Sequence, residues 1–555
     1  MGGGLLQLKR VGAQDLYLTG NPQMTFFKSV YKKYSNFSQE MIRLDFEGVQ
    51  SLSNDVETLM RCKIARNGDL INKVYFVINI PDIFSSYEND TNVEFNWVPN
   101  LGTQIIKKCS LTIGGNKISE LYGNWIEIWH ELFLEASAKN TYDAMTGHRP
   151  DLFMPEHNGW NAGFYPTSSL KATEDINPDS MSYYFSQFGK NPYLQPPSIH
   201  GRKIYVPLPF WFATNPGLAL PLISLQYHDV YLEIECRPIT ELYTIKETRD
   251  GQTVSKGTRT APSSTQTHHH IGNFITSVPK ESFTNGMDLT DGDTNTQGWN
   301  QDCHILGNYI FLDNDERDMF ALNSHEYLIE QVFRSNFTDV HSTQSLHLET
   351  NHPVKYLVWH GQRSDVKTLN KHNNYTNWTD EFISPVSQAY LKLLGEESAD
   401  PLYFQMLNGN IVVENGIRQT LDMNLMTRAL IPTKFNYSTY DKSIIKSSRI
   451  MFDGKERYSS QDNRFHGLLQ SYQHGTKLDK SGIHMYSFCL DPSKSQPNGA
   501  VNMSRISNLE LEVTMLNPPS RKTTDESYEF NVFVYSVNYN LLRITSGMAG
   551  ISWVH

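Results

Sequence analysis

The chain carries the same β-sheet pattern twice, and that duplication limits what it can fold into more than any single residue does. Val230 to Cys236 reads Val-Tyr-Leu-Glu-Ile-Glu-Cys and Leu509 to Val513 reads Leu-Glu-Leu-Glu-Val, with apolar and acidic side chains in strict alternation. Successive side chains of a strand point to opposite faces, so both segments are strands with one dry face and one wet face. Two further landmarks recur in the same order. Val74 to Ile80 has its counterpart in Val354 to Trp359, and Leu111 to Gly115 has one in Arg449 to Gly454. Two similar sheet units in one polypeptide point to an architectural pair rather than to a catalyst built around a single cleft.

Length permits this reading. At 555 residues the chain exceeds the ~250–300 residues at which single cores stop growing. Aromatic residues, 12% of the chain, suit pleated, half-buried surfaces. Glycine and proline sit in turn-like contexts along the whole length, as many short strands joined by loops require. The two units differ by insertions. Val74 to Gly115 spans 41 positions against 100 from Val354 to Gly454, whereas Gly115 to Leu232 spans 117 against 55 from Gly454 to Leu509. The first unit is expected over 39–239 with a long insertion near 139–200, and the second over 303–555 with one near 362–445. Residues 240–302, rich in Thr, Ser, Gly and Asp, read as a polar connector, and residues 1–38 as an N-terminal arm. Long loops on a rigid sandwich are where recognition is normally placed.

Helical pattern is sparse. Asn124 to Leu134 sets Trp125, Ile128, Trp129 and Leu132 on one stripe. Thr25 to Tyr34 does the same with Phe27, Val30, Tyr31 and Tyr34, leaving Lys28, Lys32 and Lys33 on the other side. That segment either plugs its own barrel end, the more ordinary fate of an apolar stripe, or docks on a partner. The last strand alternates Phe533, Tyr535, Val537, Tyr539 and Leu541 with Val534, Ser536, Asn538 and Asn540, and is expected to keep one polar face.

The net charge of −11 disfavours direct contact with nucleic acid, because phosphate binding needs fields of Lys and Arg that release counterions. Five widely spaced cysteines, Cys62, Cys109, Cys236, Cys303 and Cys489, form no Cys-x-x-Cys pair. They read as packing thiols in a reducing compartment. The N-terminus lacks the apolar stretch of a signal peptide, and no ~18-residue uncharged run offers a membrane span, so the chain is expected to be soluble as made.

No motif assigns a catalytic residue, a cofactor or a metal. His325-Glu326 begins like a zinc protease helix, but Ile329 stands where the second histidine belongs. His268, His269 and His270 are consecutive and cannot all converge on one ion from an extended loop, so they read as a solvated excursion. Gly114-Gly-Asn-Lys117 lacks phosphate-loop spacing and fits a strand-to-strand turn. Glu233 with Glu235, and Glu510 with Glu512, are explained by alternation as the wet face of a strand rather than as a catalytic pair. Among seven Asn-x-Ser/Thr matches, Asn374 and Asn377 in the second insertion are the two worth testing for sugar.

Several long motifs carry a family resemblance. Gly2-Gly-Gly-Leu-Leu6, then Gly12-Ala-Gln-Asp-Leu-Tyr-Leu-Thr-Gly-Asn-Pro-Gln23 and Thr25-Phe-Phe-Lys28, resemble the start of the major capsid proteins of nucleocytoplasmic large DNA viruses. Further matches are Leu222-Ile-Ser-Leu-Gln-Tyr-His-Asp-Val230, Ser324 to Gln331, His352 to Trp359, Ser487 to Arg505 with Gln496-Pro-Asn-Gly499, and Asn540 to Gly547. The resemblance implies an all-β chain of two tandem eight-stranded jelly rolls with long inserted loops and a few short helices. It also implies a homotrimer that serves as a pseudo-hexagonal capsomer in the outer icosahedral shell of a virion assembled in the host cytoplasm. Neighbouring capsomers and minor capsid and penton proteins would be partners, with an inner viral membrane nearby but not spanned. Phe27, Tyr31 and Tyr34 of the arm would dock on the inner face. The rival is a carbohydrate-binding or carbohydrate-active jelly roll, which predicts two convergent acids in an aromatic cleft.

Overall fold

The computed structural model describes residues 3–85, 87–88, 91–155, 165–166, 197–248, 259–275, 299–377, 411–413, 417–419, 443–475, 480–516 and 528–553. Sixteen strands form two jelly rolls of eight. The first roll holds β1 (Phe37–Asp45), β2 (Thr58–Ile64), β3 (Leu70–Ile80), β4 (Ile106–Ile113), β5 (Asn116–Tyr122), β6 (Arg202–Pro207), β7 (Val230–Cys236) and β8 (His304–Leu312). The second holds β9 (His325–Phe337), β10 (Thr343–His347), β11 (Pro353–Arg363), β12 (Ile445–Phe452), β13 (Lys455–Glu456), β14 (Ile483–Ser487), β15 (Leu509–Met515) and β16 (Phe530–Thr545).

Sheet order repeats strand for strand. In the first roll β1-β8-β3-β6 faces β2-β7-β4-β5, and in the second β9-β16-β11-β14 faces β10-β15-β12-β13, all antiparallel. Every sequence landmark lands on its counterpart: β7 on β15, β3 on β11, β4 on β12. In β7, Val230, Leu232, Ile234 and Cys236 are buried while Tyr231, Glu233 and Glu235 are half-buried, as alternation demands. Each aliphatic side chain so buried contributes about 1.5–3 kcal/mol. The β4–β5 hairpin turns on Gly114 and Gly115, both at positive φ (58° and 83°), and β12–β13 turns on Asp453 and Gly454 (48° and 75°). Two successive positive φ values match the right-handed twist of the flanking strands, and glycine or a small polar residue adopts them at least cost.

Four sequence expectations need correction. Strand β8, given by composition to the second unit, pairs with β1 and β3 of the first, so the units divide near residue 313 rather than 302. The ends of the supposed connector also belong to the first roll: Tyr243–Thr248 pairs with Thr91–Trp97, and Ile271, Phe274 and Trp299 are buried. His269 is buried, its Nδ1 accepting from Ser263 N at 3.0 Å and its carbonyl from the Tyr243 hydroxyl at 2.9 Å, so that the triplet is not a solvated excursion. Residues 25–34 form no helix. Helices α1 (Gly3–Lys9) and α2 (Ala13–Thr19) precede them, and every residue from 3 to 36 is exposed, so the arm does not plug its own barrel. Short helices are marginal without packing, and this stretch has nothing to pack on. Most of both long insertions (156–164, 167–196, 378–410, 420–442) lies outside the described residues.

Candidate assembly surfaces

The two rolls meet along a seam that buries one sheet on both sides. The inner face of β9-β16-β11-β14 closes the second roll's own core through Leu357, Trp359, Val532 and Val534. Its outer face, Tyr356, Val358, Met485, Tyr535 and Val537, is equally dry, each at 1% exposure or less, because the first roll covers it. This corrects the expected polar face of β16: Ser536, Asn538 and Asn540 are 5%, 1% and 1% exposed. Asn540 Nδ2 donates to Gln331 Oε1 at 2.8 Å and to the Trp553 carbonyl at 2.9 Å, which keeps a buried amide satisfied.

The cover is made by β5 and by helix α3 (Gly123–Phe133), the helix the sequence placed at 124–134. Trp125 stacks on Tyr356 with ring centres 6.3 Å apart and lies 5.1 Å from Tyr535, while Phe133 meets Tyr356 edge-on at 5.4 Å. Arg334 of β9 lays its guanidinium 3.9 Å over the Tyr122 ring, and Gln331 Nε2 donates to the Ile118 carbonyl at 2.7 Å. A polar lock sits beside these rings. Lys480 of the second roll pairs with Glu127 of α3, both nearly fully buried, and Gln104 Nε2 and Asn100 also donate to that carboxylate. Asn370 Nδ2 crosses the seam to the Thr240 and Tyr243 carbonyls at 2.6 and 2.8 Å.

The equivalent surfaces on the outer flanks are open. The outer face of β1-β8-β3-β6 presents Met41 (49% exposed), Lys73, Tyr75, Tyr205 and Leu306, half-buried or exposed. In the second roll the place of α3, after the β12–β13 hairpin and before β14, is taken by α4, a π-helical Phe465–Leu469 running into Gln470–His474. Its His466 plugs the core against Trp359 at 5.0 Å, and its other side exposes Leu468, Leu469 and Tyr472. The sequence search missed α4, whose single signal was the Phe465, Leu468, Leu469, Tyr472 spacing.

No catalytic constellation accompanies these surfaces among the described residues. Among the described residues no cluster of His, Cys, Asp and Glu could hold a metal. The cavity at the seam has aromatic walls, Trp125, Trp129, Trp211 and Tyr356, but its lining holds one carboxylate, Glu330, and the Lys355 ammonium sits 2.5 Å from it. Burial raises the Glu330 carboxyl above its usual range, against the opposing pull of Lys355. One acid tied to a lysine is not the two-carboxylate geometry of a glycosidase. All five cysteines are buried free thiols, and desolvation pushes Cys62 and Cys303 up to about 12. Glu233, Glu235 and Glu512 lie on outer sheet faces, paired with Arg61, Lys107 and Arg449 at 3.4, 2.7 and 2.8 Å. Asn374 is 7% exposed, its Oδ1 accepting from Thr376 N at 3.0 Å and Oγ1 at 2.7 Å, and Asn377 Oδ1 accepts from the Tyr528 hydroxyl at 2.8 Å. Phe27, Tyr31 and Tyr34 stand 98%, 87% and 85% exposed on the arm.

Comparison with known proteins agrees with this architecture. Residues 25–313 match the family described as major capsid protein N-terminus, and residues 316–550 match large eukaryotic DNA virus major capsid protein. The chain is 32% identical to the major capsid protein of Phaeocystis pouchetii virus and 28% identical to that of Paramecium bursaria Chlorella virus 1, each over the full length of both chains. Among solved structures, a chain of the PBCV-1 virus capsid superposes with a TM-score of 0.58 at 21% identity, covering 96% of this chain and 100% of that one. The Faustovirus major capsid protein superposes with a TM-score of 0.56 at 12% identity, covering 98% and 96%.

Proposed function

The chain belongs to the major capsid proteins of large eukaryotic DNA viruses, a structural component of the virion, and from that premise we propose that three copies close into a ring of six similar rolls. One observation carries the proposal. The second roll's outer sheet face is buried by β5 and α3 of the first, whereas the first roll's equivalent face and the second roll's equivalent helix α4 are both open. Seating α4 of one copy on the β1-β8-β3-β6 face of the next repeats the internal seam between copies. Such a contact is heterologous, with different patches on its two sides, so it closes only as a ring. A threefold ring then offers six near-equivalent flanks to neighbouring capsomers, as an icosahedral shell needs. The arm, Phe27, Tyr31 and Tyr34 included, faces inward, minor capsid and penton proteins meet the ring elsewhere on its inner side, and assembly takes place in the host cytoplasm.

Light scattering on purified protein is expected to return three times 63.7 kDa. Substituting Leu468→Cys and Tyr205→Cys in one chain is expected to give disulfide-linked oligomers on oxidation, while each single substitution gives none. A monomer at micromolar concentration overturns the ring, and a trimer that fails to cross-link overturns this seating of it.

A further inference from the structure

Residues 3–36 combine a positive charge with a run of exposed apolar side chains. Five of their side chains are cationic, Lys9, Arg10, Lys28, Lys32 and Lys33, and one, Asp15, is anionic. The arm therefore carries +4 in a chain of net −11, which leaves −15 on the remainder. Thirteen large apolar side chains between Leu5 and Tyr34 are exposed, Tyr17 at 92% and Phe27 at 98% among them. An apolar set of this size is left open on a folded protein only where something else covers it.

We propose that the arm lies in the headgroup layer of an anionic lipid surface. The distribution of the apolar side chains favours lipid over a shaped protein groove. In α2, Leu16, Tyr17 and Leu18 are consecutive, about 100° apart around the helix, so they cover a wide arc rather than one stripe. A groove selects a narrow face, whereas a fluid interface accepts a broad one. From Phe26 to Tyr34, four aromatic rings alternate with three lysines, a pattern in which rings settle at headgroup depth and ammonium groups meet phosphate. Charge acts in the same sense. An anionic bilayer repels a body of −15 and attracts an arm of +4, so lipid engages this segment and leaves the rolls standing off the surface. An acidic neighbouring copy would attract the same cations but gives no account of the apolar side chains. The assignment rests on the shell reading only for the side on which the arm emerges.

The test is co-flotation of the full-length protein with vesicles of phosphatidylcholine alone or with about one third phosphatidylserine. Binding is expected on the anionic vesicles, lost at high salt, and absent on the neutral ones. Each lysine at an anionic surface contributes about fivefold in partitioning, so Lys28→Gln with Lys32→Gln and Lys33→Gln should weaken binding about 100-fold. Phe27→Ser with Tyr31→Ser should weaken it at unchanged charge, which separates lipid insertion from simple charge attraction. Equal or absent binding on both vesicle types overturns the proposal. So does an arm that resists trypsin and cross-links to a second copy without lipid, because the occupant is then protein. The Leu468→Cys/Tyr205→Cys cross-link, measured on the same variants, reports the shell reading separately.

Discussion

Single residues at the seam and the turns carry unequal weight, and the geometry ranks them. Glu127 is 2% exposed and pairs with Lys480 across the seam. Removing the cation leaves a carboxylate in a dry interface, so Lys480→Met is expected to cost about 3–5 kcal/mol. Adding Glu127→Gln to that variant should recover part of the loss, since it removes the buried charge while the amide oxygen still accepts from one of Asn100 and Gln104, which donate to different oxygens of the carboxylate. Chemical denaturation of the two variants and the parent protein at neutral pH checks this, and equal losses for single and double variants would exclude a charge effect. The hairpin glycines differ in a second way. A Cβ on Gly115 meets open space, so Gly115→Ala is expected to cost about 1 kcal/mol for its positive φ alone. A Cβ on Gly114 comes within 2.4 Å of the His228 ring, so Gly114→Ala should be clearly worse. Thermal unfolding that ranks them in reverse contradicts the turn described.

Elements were legible where each owed its character to its own sequence. Strands β7 and β15 wear one face to the core and one to solvent, so Val230 to Cys236 and Leu509 to Val513 declared themselves by alternation. Strand β16 did not. Its odd residues, Tyr535 and Val537, are covered by the first roll, and Ser536, Asn538 and Asn540 are buried, with the Asn540 amide hydrogen-bonded inside, so packing replaced the solvent that the polar residues suggested. Strand β8 was misassigned for a related reason: its partner β1 lies 259–275 residues earlier, and no local pattern carries such a pairing. The helix expected over 25–34 failed in the opposite direction, because periodicity without a surface to pack on does not hold a short helix. Helix α4 has that surface on one side only. Leu468→Asp with Tyr472→Asp is therefore expected to leave the folded monomer unchanged by circular dichroism and to abolish the trimer by light scattering. Trimers that survive both charges would remove α4 from the contact.

For the molecule as a whole, the rings buried on and around the seam set a limit in acid. Desolvation lowers His130 and His484 to about 4, and His148, His360, His372 and His466 to about 3, from an ordinary 6.5. The folded state binds these protons less readily than the unfolded chain does, so the stability is complete above about pH 6.5 and is lost as pH falls from there toward 4 and below. Denaturation midpoints at pH 7.5, 6.0 and 5.0 should fall in that order. His360→Phe, whose ring can keep the stacking on Tyr375 and Phe533, should flatten the slope; an unchanged slope would show that His360 does not contribute. The placement of β8 has a consequence for synthesis. The strand that sits between β1 and β3 is the last of its roll to be made, so β1 leaves the ribosome without its neighbour. At about 5–20 residues per second, some quarter of a minute to a minute passes before that neighbour emerges. Throughout that interval a nascent chain exposes an unfinished sheet edge to every other nascent chain around it, an opening for mispairing that the finished roll no longer offers.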